Sequence, residues 1–336
     1  MAPKIAYDSS SDALLFPAKN AVFFQGWVPD DFTREDHGLL CAEMSRLAYA
    51  SPDVIERALG GIGFTSPDLI GGEDLEDRVA SRGTQGFLTH SPQRGLTVLA
   101  FRGTESGKLE DLLLDGETLQ RESPKSKGCF VHRGFFDGWD RVRDRVTHLL
   151  GGRRTKLLVT GHSLGAAIAT LAAIETEADA LITFGSPLVG NDKLGPLLSP
   201  KTKIRHRYVN CCDLITRIPP EKLDREHVAQ LFAELAKVDK LGHFGAFFAH
   251  GAIQTATSAL ASVLHAVHLD PQFTHVFPAR YADRTGKVRL GISPEDLRKD
   301  QEAARQGYRR TSSSAPLRDL ADHAPINYVS IFTGRA

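Results

Sequence analysis

Residues 156–173 read KLLVTGHSLGAAIATLAA, a short aliphatic run, then a serine set among glycines, then an alanine-rich run. The first part has the length and composition of a buried strand, and residues 164–178 carry a helical pattern free of proline. A strand that passes into a helix through Gly161–His162–Ser163–Leu164–Gly165 predicts a βαβ unit and, with it, a mainly parallel sheet. The turn demands its glycines, because side chains at 161 and 165 would collide with the adjoining strand and helix. It also holds Ser163 in a strained backbone conformation and lifts the hydroxyl above the carboxyl end of the sheet. The same five residues are compatible with a tight turn that does no chemistry.

Outward from the turn, β-rich runs stand at 95–103, 180–185 and 203–210, with a further helical stretch at roughly 134–151. Their alternation predicts an α/β fold with a mainly parallel central sheet flanked by helices. EDHGLLCAEMSRLAYA, residues 35–50, places Leu39, Leu40, Met44, Leu47 and Ala48 on one helical face, expected to pack against the sheet, and Ser51–Pro52 mark a break. Residues 276–293 predict a hairpin at a sheet edge, turning at Asp283 to Gly286.

Residues 219–272 interrupt this pattern. Residues 241–269, LGHFGAFFAHGAIQTATSALASVLHAVHL, predict one or two long helices with few charges, yet their histidines, glutamine and hydroxyls argue against a membrane span. A cap over an apolar cleft, an interfacial helix on lipid or a core helix fits better. The expected organisation is therefore an α/β core, 1–218 and 273–336, with a helical insertion at 219–272.

Of the 336 residues, 41 are basic and 41 acidic, giving zero net charge, and no basic runs exist to track phosphates. Nucleic acid is excluded as an expected partner. MAPKIAYDSSSDALLFPAKN, residues 1–20, has no basic head followed by an apolar run, so the expected address is cytoplasmic or membrane-peripheral, with export by a signal-independent route left open. Cys41, Cys129, Cys211 and Cys212 form neither a metal spacing nor a disulfide framework and read as reduced packing residues. His243, His250, His265 and His268 lack an H-E-x-x-H pattern, and no metal or cofactor is expected.

A nucleophilic Ser163 needs a histidine to take its proton and a carboxylate to orient that imidazole. Asp213, just after the strand at 203–210, stands at the sheet edge where sites of parallel sheets collect, whereas Asp179 leads into a strand and Asp192 lies in a glycine-flanked loop. His323, in the loop of LADHAPINYVSIF (320–332), is the first choice of base, and His275, which leads into the hairpin, is its rival. His162 should pack or bond locally. The Leu164 amide at the start of the helix is the natural oxyanion donor, and Thr104, in TVLAFRGTESGKLED (97–111), offers a second.

Taken together, AEMSRLAYA (42–50), VLAFRGT (98–104), VHRGFFDGW (131–139), VTGHSLGAAIA (159–169), ITFGSPLVGN (182–191), YVNCCDLITRIPP (208–220), FTHVFPARYAD (273–283) and DHAPINYV (322–329) resemble, in order, the class 3 lipase family. That family contains fungal triacylglycerol lipases, feruloyl esterases, plant phospholipases A1 and diacylglycerol lipases. The resemblance implies an α/β-hydrolase fold with Ser163 as nucleophile, Asp213 as acid, His323 as base, and Thr104 and Leu164 forming the oxyanion hole. It also implies that Asp115 supports the oxyanion loop. The family's lid corresponds to ESGKLEDLLLD (105–115), which is polar and carries Leu112 where a tryptophan is common. The insertion is therefore expected to take over the lid's task, with Phe244, Phe247 and Phe248 selecting the substrate.

The resulting expectation is a cofactor-free carboxylic ester hydrolase acting on lipid esters, with contact to a lipid interface. Phospholipase A1, acyl transfer and a membrane-surface binding protein with a vestigial core are its alternatives. Oligomeric state is not legible.

Overall fold

The computed structural model describes residues 37–71, 84–103, 120–152, 155–213, 215–217, 273–311 and 322–333. The insertion at 219–272, with Phe244, Phe247 and Phe248, lies outside them, as do Thr104, Leu112 and Asp115.

Ten strands are present among the described residues: β1 Asp68–Ile70, β2 Gly86–Ser91, β3 Leu96–Phe101, β4 Gln120–Glu122, β5 Phe130–His132, β6 Lys156–His162, β7 Ala180–Phe184, β8 Ile204–Asn210, β9 Ala279–Ala282 and β10 Val288–Leu290. Eight of them form one sheet, in the order β1-β2-β3-β6-β7-β8-β9-β10. From β3 to β9 every pairing is parallel; β1–β2, β2–β3 and β9–β10 are antiparallel. β4 and β5 make a separate antiparallel pair.

The central parallel strands β3, β6 and β7 are short, largely apolar runs because both faces are covered. Along β3, Leu99 and Phe101 point to one face and Val98 and Ala100 to the other. Helices α3 (Arg133–Leu149) and α4 (Leu164–Glu175) cover the first face. There Trp139, Val142, Val146, Ile168 and Ala172 meet Leu99, Leu157, Val159 and Leu181. On the second face lie α1 (His37–Leu47), α2 (Pro52–Gly61) and α6 (Pro325–Thr333). Leu40, Met44, Leu47, Val54 and Tyr328 pack there against Leu158, Ile182 and Phe184. One further helix, α5 (Pro294–Thr311), follows the hairpin.

Several differences from the sequence reading have simple causes. α1 is buried nearly all round, not along one stripe, and packs against both the sheet and α6. Ser51–Pro52 do break α1, but the proline then opens α2 from its first position, where no amide is needed. The hairpin at β9–β10 turns at Asp283, as expected, and forms the sheet edge. Asp283 secures the turn by accepting the amides of Thr285 and Lys287 and the Nε–H of Arg289. Among the described residues no helix is long and apolar enough to cross a membrane.

Candidate active site

The register aligns the carboxyl ends of the central strands: Phe101 pairs with Gly161, His162 with Phe184, and Phe184 with Tyr208. The chain therefore leaves β3, β6, β7 and β8 at one edge, through Gly103, Ser163, Gly185 and Asp213.

Ser163 has φ 59 and ψ −129, one of two non-glycine residues with positive φ among those described. Its amide is tied to the Phe184 carbonyl at 3.0 Å, which keeps the strained residue in place. A Cβ on Gly161 would stand 2.2 Å from the Gly165 carbonyl, and one on Gly165 would stand 2.4 Å from that of Phe101. Both predicted collisions are present, the second against β3. Leu164 is the first residue of α4, where helix amides have no intrahelical acceptor.

His323 Nε2 lies 2.9 Å from Ser163 Oγ, and His323 Nδ1 lies 3.0 and 2.9 Å from the two oxygens of Asp213. Because the carboxylate only accepts, Nδ1 carries the proton and Nε2 is free to accept from the serine hydroxyl. Ser163, His323 and Asp213 thus form one hydrogen-bonded chain from residues 110 and 160 positions apart. The Asp213 side chain is fully buried and that of His323 is 12% exposed, so only the imidazole is open to solvent. The other candidates lie elsewhere. Asp179 accepts the Leu157 amide and Lys156 Nζ at the start of the strands. His275 is hydrogen-bonded through Nε2 to the Thr216 carbonyl, a structural role.

Several residues around the chain had no sequence signal. Tyr328 Oη donates to Asp213 Oδ2 at 2.5 Å and accepts the Asn210 amide at 3.2 Å. Burial, and secondly the adjacent Asp213, hold the Tyr328 phenol well above its usual range, so it stays a donor. The Ile215 amide adds a bond of 2.9 Å to Asp213 Oδ1.

His162 was expected to bond locally, yet it bridges distant segments. Its Nε2 donates to the His323 carbonyl at 2.6 Å, so its Nδ1 is the unprotonated nitrogen and accepts from Tyr49 Oη at 2.8 Å. Burial, then the neighbouring His323, push His162 well below the ordinary histidine range and keep it neutral.

Gly185 completes the floor. With φ +57 it occupies the left-handed region, and a Cβ there would meet Asp213 Oδ2 at 2.8 Å and His323 Nδ1 at 3.0 Å.

A mainly parallel sheet with helices on both faces and a serine on the strand-to-helix elbow defines an α/β-hydrolase fold. Residues 98–223 match the family described as Lipase (class 3).

Three relatives extend the comparison. The chain is 35% identical over 111 residues to secreted mono- and diacylglycerol lipase 1 of Fusarium solani, covering 30% of this chain and 33% of that one. It is 29% identical over 156 residues to secreted mono- and diacylglycerol lipase A of Penicillium cyclopium, covering 44% and 50%. It is 34% identical over 148 residues to the chloroplastic phospholipase A(1) DAD1 of Arabidopsis thaliana, covering 36% and 33%. The chain thus spans between a third and a half of the length of these relatives.

Two of them are named as secreted proteins, which overturns the cytoplasmic expectation. That expectation rested on the make-up of residues 1–20 alone, which lie outside the described residues.

Proposed function

We propose that the protein hydrolyses carboxylic esters of lipids through an acyl-enzyme on Ser163, with glycerides as the first substrate class. One observation carries the reading: the unbroken Asp213–His323–Ser163 hydrogen-bonded chain beneath a serine held at positive φ. Ser163 Oγ attacks the ester carbonyl while His323 Nε2 takes its proton, and that proton then goes to the departing alkoxide. The remaining acyl-enzyme is opened by a water that gives its proton to the same nitrogen. Asp213, supported by Tyr328 and the Ile215 amide, keeps the imidazole in the required tautomer and stabilises the imidazolium.

The oxyanion is assigned to the Leu164 amide at the start of α4 and to Thr104 as the second donor, and Asp115 is assigned the task of supporting the oxyanion loop. Phe244, Phe247 and Phe248 of the 219–272 insertion are assigned to acyl-chain selection. The chain works without a cofactor in this reading, and contact with a lipid surface follows from the substrate.

Glycerides lead because two relatives are named mono- and diacylglycerol lipases. Phospholipid is the second reading, supported by the relative named phospholipase A(1). Hydrolysis of p-nitrophenyl esters of increasing chain length, of emulsified diacylglycerol and of phosphatidylcholine vesicles tests both. Ser163→Ala should abolish all turnover while the thermal midpoint is kept. A Ser163→Ala protein that cleaves p-nitrophenyl esters at the parent rate refutes the mechanism, and faster cleavage of phospholipid than of glyceride selects the second reading.

A further inference from the structure

Cys211, Cys212 and Asp322 bring two thiols and a carboxylate together, each residue at most 0% exposed, with their ligating atoms all within 4.8 Å of one another. The two sulfurs are 3.3 Å apart, and no disulfide joins them. Asp322 is drawn to the pair from 110 residues away: its Oδ2 accepts the Cys212 amide at 3.0 Å, and its carbonyl accepts Asn210 Nδ2–H at 3.1 Å. On the α5 side the cage is bounded by Asp300 Oδ2, 3.5 Å from Cys211 Sγ, and by the Gln301 carbonyl, 3.7 Å from Cys212 Sγ. Tyr281 Oη lies 3.4 Å from Cys211 Sγ and donates its proton to Asp300 Oδ2 at 2.7 Å.

We infer that this cluster is a binding site for a thiophilic divalent d10 cation of the zinc–cadmium class, distinct from the hydrolytic residues. Two soft sulfurs and one oxygen are the donor set such cations select. With metal–sulfur bonds of about 2.3 Å and metal–oxygen bonds of about 2.0–2.2 Å, the two sulfurs of a tetrahedral site stand about 3.8 Å apart and a sulfur and an oxygen about 3.6 Å apart. The sulfurs, 3.3 Å apart, reach that spacing by opening about 0.5 Å, and the carboxylate reaches it by closing about 1 Å. On binding, each thiol releases its proton to solvent as its sulfur–metal bond forms. The charge of the two thiolates and the carboxylate is then largely offset by the dication, which removes the main objection to ionising buried thiols. Adjacent cysteines have no recognisable ligand spacing, and the third donor comes from a distant segment, which is why the sequence alone reads as metal-free.

Bound cation would tie the residue before Asp213 to the residue before His323. It therefore stabilises the pairing of the two segments that carry the acid and the base.

The test uses the full chain, reduced throughout, both titrated with cadmium and produced in cadmium-supplemented medium. One cadmium per chain should survive desalting, with the ultraviolet charge-transfer absorption of cadmium thiolate and a thermal midpoint raised by several degrees. Cys212→Ser and Asp322→Asn should each weaken binding at least tenfold, and Cys211→Ser serves where the first variant does not fold. Absence of retained cadmium in both preparations of the parent overturns the site. So does stoichiometric binding that survives the substitutions in variants whose metal-free thermal midpoints match the parent.

Discussion

Replacing Gly185 by alanine tests whether the left-handed turn after β7 exists to let the acid and the base approach the sheet edge. The backbone at φ +57 costs an L-residue about 1–2 kcal/mol, a stability effect independent of surroundings. The steric effect is separate. The new methyl stands 2.8 Å from Asp213 Oδ2 and 3.0 Å from His323 Nδ1, where ordinary contact begins at 3.4 Å, so the acid must retreat by about 0.6 Å. A misplacement of about 1 Å in a reacting group can cost about a hundredfold, so a tenfold or greater fall in kcat is expected for p-nitrophenyl butyrate, with KM within about twofold. Gly286→Ala is the control, because Gly286 has φ +83 and nothing within 4 Å of its would-be Cβ. It should lose similar stability in urea and no kcat. A folded Gly185→Ala protein with parent kcat, or a Gly286→Ala protein that loses as much, would refute the steric argument.

Tyr328→Phe removes a charge-assisted donor to Asp213 and strands the Asn210 amide; a loss of about 1.5–3 kcal/mol by urea unfolding and a lower kcat at little-changed KM are expected. His162→Leu leaves Tyr49 Oη and the His323 carbonyl without their shared partner, so stability should fall by about 2–4 kcal/mol and kcat with it; parent kcat would show that the base loop needs no such anchor. Acid should destabilise the fold above the carboxylate range. Burial lowers His132 to about 4, and burial followed by nearby Arg207 lowers His275 to about 3. The unfolded chain takes up protons near 6.5 and the folded chain only near those lower values, so stability is full above 6.5 and drains as pH falls through that window. For His132, which is 2% exposed, the loss at pH 5 is about 2 kcal/mol, and His132→Gln should flatten the urea midpoint between pH 7 and 5.

What could be read in advance follows from how local each signal is. β3, β6 and β7 are legible because a strand covered on both faces is a largely apolar run, β8, IRHRYVN, only by its position in the alternation, and α3 and α4 because their patterns are long. The short edge strand β1, the strand β2 beside it, and α5 with its charged sequence PEDLRKDQEAARQGYRRT, have no comparable signature. Ser163 is legible because the elbow imposes glycines within two residues on either side. Asp213 and His323 are legible in part, since a residue just beyond a parallel strand must stand at the functional edge. Which loop then folds back to it is decided by tertiary packing.

The supporting contacts illustrate that limit. Tyr49 lies 113 residues from His162, Tyr328 lies 115 from Asp213, and His162 lies 161 from His323. Each is an ordinary residue in its own neighbourhood. α6 accounts for the convergence, because it packs on α1 at the second face of the sheet. That packing brings Tyr328 under Asp213 and, one turn earlier in the chain, sets His323 over Ser163. The imidazole's position therefore depends on apolar burial of α6 as much as on its own hydrogen bonds. A substitution such as Val329→Ala, at a 5% exposed position remote from the ester, should loosen α6 by about 1 kcal/mol. It should also lower kcat in proportion to the fraction of molecules in which α6 detaches, and added urea well below the unfolding midpoint should deepen that loss in the variant before it does in the parent. Coincident loss of activity and of global structure in both proteins would mean that α6 does not open separately, and that the hydrogen bonds alone hold the base.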